Sequence, residues 1–202
     1  MKNSIDSKHK LTKKQGQILV KLARKTIMER LGQKMPREDV KSLEKSLKDK
    51  AFENKCGTFV TLNLKLNEEL RGCIGSLEAS EPILSGIRHN SINAAFNDYR
   101  FPALNGEELD QVKIEVSILT DPQKLEYTDS IDLLDKLRVD VDGLIIRHGS
   151  ARATFLPQVW QALPEPEEFL SHLCKKAGLP ANAWEETKLE VLTYQVQYFE
   201  EK

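Results

Sequence analysis

"GTFVTLNLKLNEELRGCIGSL", residues 57–77, is the stretch on which the fold turns. Its first half alternates, so that Val60, Leu62 and Leu64 fall on one face of an extended chain, with Phe59 and Thr61 on the other. A short polar turn follows, and then "LRGCIGSL". Two strands joined this closely must run antiparallel, because a parallel pair needs a crossover of a dozen or more residues. The stretch therefore predicts an antiparallel hairpin within a larger curved sheet. Its second half is unusual. Gly72 and Gly75 bracket Cys73 and Ile74, just after Arg71. Glycine weakens a strand interior and marks a bulge, a bend or a close approach by another group.

If the strand is regular, Arg71 and Cys73 share the face of Phe59 and Thr61, and Leu70, Gly72 and Ile74 lie opposite. "VKIEVSILT", residues 112–120, reads as a further strand. It turns Val112, Ile114, Val116 and Ile118 to one side and offers Glu115 and Ser117 on the polar side. Arg71, Cys73, Glu115 and Ser117 are thus expected to line one concave surface. "NDYRFPAL", residues 97–104, places Asp98 and Arg100 at its rim, since Pro102 keeps Phe101 out of a helix. "TFLPQVW", residues 154–160, sets Gln158 after a proline at a strand end. Gly72 and Gly75 would leave backbone open to a ligand. An arginine near a thiol favours the thiolate, so Cys73 and Arg71 are candidate catalytic residues. A nucleophile also needs a base, for which His89 and His148 are the candidates. Each residue has a packing explanation as well. Cys73 fits where nothing larger does, and Arg71 would pair with Glu115 or Asp98. Asp98 to Pro102 would be a rigid connection, and the Gln158 amide would serve the backbone.

The rest of the chain places these segments. "LTKKQGQILVKLARKTIMERLG", residues 11–32, has the three- and four-residue spacing of an amphipathic helix that packs on the hairpin. Thr12 and Gln15 form its capping box, and Gly32 stops it. A weaker helix follows around Val40, Leu43 and Leu47. "EPILSGIRHNSINAAFND" and "EPEEFLSHLCKKAGL" are helical, and "IDLLDKL" is a short helix. "GLIIRHGSARATFL" is two strands around His148-Gly149, and "KLEVLTYQVQYFE" is one closing strand. Helices are interspersed with strands that come mostly as hairpins, so the class is α+β with an antiparallel sheet.

Composition narrows the function. Of 202 residues, 40% are hydrophobic and 30% charged, with a net charge of −1. Residues 1–50 hold 15 Lys+Arg and 6 Asp+Glu, against 15 and 25 in the remainder. That asymmetry describes a basic helical segment docked on an acidic body, or else an anion-binding arm. The basic helices lack interleaved aromatics, which disfavours nucleic acid. Cys56, Cys73 and Cys174 fit neither a zinc pattern nor a disulfide framework. No cofactor or metal motif is present, no apolar run would span a membrane, and the opening residues lack the apolar core of a secretory signal. The expected compartment is the cytoplasm.

"GTFVTL", "LRGCIGSL", "AAFNDYRFPAL", "IEVSIL", "ATFLPQVW" and "FLSHLCKKAGL", in that order, resemble the AMMECR-domain family, whose bacterial and archaeal members are called AmmeMemoRadiSam system protein A. The likeness spans residues 15–199, so the chain is expected to be one domain over 1–202. Tyr99 stands where the family has a proline. The resemblance implies a two-lobed α+β fold with a curved antiparallel sheet and "LRGCIG" in a cleft. It also implies the company of a Memo-like protein and a radical-SAM protein. It brings no activity with it. The expected functions are a cleft that binds, or acts on, a small anionic or polar metabolite, alternatively a non-catalytic protein-interaction module, and, as a weaker alternative, a nucleic-acid-associated regulator using the basic N-terminal region.

Overall fold

The structure, a computed structural model, describes residues 10–201; the segment read for a signal lies largely outside them. The chain divides into two compact units. Residues up to 120 and from 197 onward form the first, and 121–196 form the second. Each has its own four-stranded sheet and core.

In the first unit, α1 (Lys13–Arg30) starts at the capping box read from sequence: the Thr12 side chain accepts from the Gln15 backbone, and the Gln15 side chain accepts from the Thr12 backbone. Leu19, Leu22, Ala23 and Ile27 bury its inner face. α2 (Arg37–Ser46) follows, and only Leu43 of it is buried. β1 (Thr58–Leu64) and β2 (Leu70–Ser76) form the expected hairpin, with Val60 opposite Ile74. β3 (Val112–Leu119) pairs antiparallel with the other edge of β1. The order is β2-β1-β3-β8, so β2 is an edge strand. α3 (Ile83–Phe96) lies against the Val60 and Leu62 face, and Ile83 and Ile87 join the same core. A polar tie fixes this contact: the buried Asn90 amide donates to Thr58 O at 3.0 Å and to Thr58 Oγ1 at 2.9 Å. α1 enters the core through apolar side chains rather than charge. Of its basic residues, Arg24 reaches Glu201, and Lys25 pairs within the helix with Glu29.

The second unit runs through β4 (Gln123–Lys124), α4 (Ser130–Lys136), β5 (Gly143–His148), β6 (Ala151–Phe155), α5 (Pro166–Lys176), α6 (Ala183–Glu186) and β7 (Glu190–Tyr194). Its sheet order is β4-β7-β5-β6, with antiparallel pairing throughout. Trp160 stacks on Phe169 with centroids 3.7 Å apart, and its indole N–H donates to Asp142 O at 2.8 Å. Trp160→Phe keeps the stack but orphans that buried carbonyl. With the cavity left by the smaller ring, urea unfolding is expected to show a loss of about 2 kcal/mol.

One element departs from the sequence reading. "KLEVLTYQVQYFE" is not one strand but two in different sheets: β7 pairs with β5, and β8 (Val196–Glu200) neighbours β3. Two aromatic anchors explain the division. Tyr194 lies against Gly143, where a Cβ would fall 2.4 Å from its ring, and its hydroxyl donates to Phe155 O at 3.0 Å. Phe199 lies against Gly16 of α1, where a Cβ would fall 2.0 Å from the ring. The alternation of apolar residues continues across Gln195 and hides the change of partner.

Candidate functional site

β1 pairs with β2 and β3 in register, and this sets a row of side chains on the face turned away from α3. Cys73, Thr61 and Glu115 face one another across three strands, and Gly75, Phe59 and Ser117 form the next row. The Thr61 hydroxyl donates to Cys73 Sγ at 3.3 Å. Burial pushes the Cys73 thiol up, and the Thr61 bond and the Arg100 charge offset this only in part. Burial likewise raises the Glu115 carboxyl; Glu200 adds to that, and the Ser117 hydroxyl opposes it. Both groups are therefore held towards their neutral forms. Across two inter-strand spacings, Cys73 and Glu115 stand roughly 10 Å apart, too far for direct proton transfer.

Asp98 and Arg100 meet at β2. The buried Asp98 carboxylate accepts from Cys73 N at 2.9 Å, from Arg100 Nε at 2.9 Å and from Arg100 Nη2 at 2.7 Å. Arg100 Nη2 also donates to Cys73 O at 3.1 Å. The two side chains thus occupy the donor and acceptor that Cys73 presents on the open edge of β2, as a neighbouring strand would. Arg100 beside it holds the Asp98 carboxyl far below the usual carboxylate range. Tyr99 between them is 94% exposed.

Arg71 does not join Cys73. The register slips between Leu62 and Asn63, so that Leu62 pairs with Gly72 and Asn63 with Leu70, and Arg71 is the extra residue of a β-bulge. Its side chain, 8% exposed, turns to the loop before β3. There Nε and Nη2 donate to Glu108 Oε1 at 3.2 and 3.1 Å, and Nη2 donates to Pro102 O at 3.0 Å. The partner is Glu108, not the Glu115 or Asp98 expected. Glu108 carries no local sequence signal; the signal for the bulge was Gly72 itself. The guanidinium groups of Arg71 and Arg100 both lie over the Phe101 ring, at 5.8 and 5.5 Å.

The two glycines have packing partners. A Cβ on Gly72 would sit 2.2 Å from Ala94 O at the end of α3, and one on Gly75 would sit 2.1 Å from the Phe59 ring and 2.5 Å from Thr58 O. The two candidate bases lie on different elements. His89 is exposed on α3, behind the sheet, and pairs with Glu81 at 2.9 Å; His148 ends β5 in the second unit. Gln158 also belongs to the second unit, half-buried in a 3-10 turn, and its Oε1 has no hydrogen-bond partner among the described residues. Among the described residues no cluster of three His, Cys, Asp or Glu is placed to hold a metal ion, and no helix is long and apolar enough to cross a membrane.

An open α+β fold with antiparallel sheets and a clamped glycine-rich edge strand defines the class. The AMMECR1 family model matches residues 20–199, through both units. The chain belongs to the AMMECR1 family. A protein of Methanopyrus kandleri is 38% identical over 96% of this chain and 91% of its own length. One of Methanothermobacter thermautotrophicus is 42% identical over 95% and 96%. The crystal structure of an uncharacterized protein from Pyrococcus horikoshii superposes with a TM-score of 0.79 at 32% identity, covering 95% of this chain and 94% of that one.

Proposed function

We propose that the chain is a binding protein for a small polar ligand, held on the Cys73 face of the first sheet. The observation that carries this is the row Cys73–Thr61–Glu115, with Ser117 beside it. It offers a thiol, a hydroxyl and a carboxyl from three adjacent strands, the outermost of which has its backbone at Cys73 fixed by Asp98 and Arg100, while Ser117 itself is buried. Hydrogen-bonding groups without a free cation suit a polar ligand better than an anion, because Arg71 is ion-paired with Glu108 and Arg100 with Asp98, although Arg71 Nη1 has no hydrogen-bond partner among the described residues. Binding rather than covalent catalysis is the reading, since the thiol is held protonated and has Thr61 rather than a base as its side-chain partner. The Memo-like and radical-SAM partners, and a cytoplasmic setting, rest on the family resemblance and the three free cysteines.

Thiol labelling tests this reading. Cys73 is expected to react with a maleimide more slowly at pH 7 than a free cysteine does. Its rate should rise with pH beyond the ordinary thiol value of 9.0. Fast labelling at pH 7 would overturn the reading in favour of a nucleophile. Cys73→Ala should unfold within about 1 kcal/mol of the natural chain. In a thermal-shift screen of neutral polar metabolites, a stabilising compound should lose its effect in Glu115→Gln; a screen with no such compound counts against the site.

A second reading, a protein-interaction module, draws on Tyr99, which the clamp holds out to solvent. Exposed aromatic residues next to arginine are common anchors at interfaces. Tyr99→Ala should then weaken association with a Memo-like partner without altering the melting temperature.

A further inference from the structure

The first unit carries a second feature, remote in sequence from "LRGCIG". Three depressions, of about 220, 350 and 500 Å3, lie along α1. They adjoin one another, and the last is walled by Lys65, Asp110 and Glu201 instead of α2. The first and second share Lys14, Ile18 and Ser46, and the second and third share Gln17, Lys21 and Met35. The lining of α1 extends from Thr12 to Met28, which at 1.5 Å per residue is a trough about 24 Å long. A small metabolite would fill one part of it; an elongated occupant matches the whole.

The chemistry of the trough differs from side to side. Ile18, Met35 and the buried Leu43 make an apolar floor. Lys14 and Lys21, both exposed and seven residues apart on α1, form one rim. Neither has an ion-pair partner among the described residues. Asp39 of α2 stands on the other side, and Asp49 just beyond α2 is tied back to α1 by the Gln15 amide, which donates to it at 2.9 Å. Two helices presenting an apolar seam between a basic and an acidic edge reproduce half of a helix-packing interface. Residues seven apart return to the same side of a helix after two turns, so a partner helix of the same period would meet both lysines.

We propose that this trough is a docking groove for an amphipathic helix of a partner protein. That helix has an apolar stripe against Ile18, Met35 and Leu43. It carries acidic residues seven apart towards Lys14 and Lys21, and a basic residue on its opposite flank towards Asp39. The charge pattern fixes its direction of rotation in the groove. This site is on the α1 side of the sheet and is independent of the Cys73 face.

Two synthetic helices of about 16 residues, long enough to span the trough, test the proposal. One carries Glu on the flank facing α1 and Lys on the other; the second has the flanks exchanged. Titration by fluorescence anisotropy at low salt should show the first binding at least about tenfold more tightly than the second. Lys14→Glu with Lys21→Glu should reverse that order, while the melting temperature stays put because both side chains are exposed. Equal binding of the two peptides, no binding of either, or an unchanged order in the double variant would overturn the proposal. So would duplex DNA or phosphatidylserine vesicles binding through the same two lysines more tightly than the first peptide.

Discussion

Gly72→Ala is expected to cost the first unit about 3 kcal/mol or more, the top of the range for overpacking. The added methyl would fall 2.2 Å from Ala94 O. That oxygen is backbone at the end of α3, and α3 is fixed to β1 through Asn90 and Thr58. No side-chain rotation can make room, so either α3 slides or β2 lifts from the core. The conformation at Gly72 does not itself demand glycine, because among the glycines only Gly32, Gly149 and Gly178 have positive φ. The penalty is thus steric, and it should appear in urea unfolding as a lower midpoint with the slope retained. A variant as stable as the natural chain would show that α3 does not approach the strand this closely.

Asp98→Ala ranks second. Removing one partner of a buried, hydrogen-bonded ion pair costs about 3–5 kcal/mol. Arg100 is 43% exposed, so water recovers part of its loss, and about 2–3 kcal/mol is the expected effect. The Cys73 N–H loses its acceptor at the same time. The effect has a definite pH dependence. The folded carboxyl titrates far below its ordinary value of 3.8, chiefly because of its bond to Arg100. A depressed folded value stabilises the folded chain at any pH above the unfolded one. The gap between natural and Asp98→Ala chains should be constant from about pH 8 to pH 5, narrow below about pH 4 and disappear only in stronger acid. A gap that closes near neutrality would remove Arg100 as the cause.

How far these sites were legible in the sequence follows from which interactions are local. The hairpin and α1 were readable because alternation, helical spacing and the Thr12–Gln15 box act within a few residues. Cys73, Glu115 and Ser117 were placed on one face by strand parity, and the registers put them there. Parity failed at Arg71 for the reason Gly72 advertised: the bulge adds a residue and re-aims the side chain. Its partner Glu108 lies 37 residues away, and nothing near either residue encodes the pairing. Asp98 and Arg100 were expected at a rim, but their grip on the Cys73 backbone depends on β2 being an edge, a property of strand order. The split of the final strand depends on which glycine meets which aromatic ring, and such pairings are set by the assembled core.

The place of β8 in the sheet order has a consequence for synthesis on the ribosome. β1, β2 and β3 all emerge by residue 119, yet β3 gains its outer neighbour only when residues 196–200 arrive. The whole second unit is translated in the interval. At about 5–20 residues per second that is a wait of roughly 4–15 s, far longer than a hairpin takes to form. During that wait the nascent first unit carries an unpaired strand edge that any neighbouring chain could extend. Ribosome-bound chains stalled before residue 196 should therefore be the species that chaperones hold and that aggregate when chaperones are scarce.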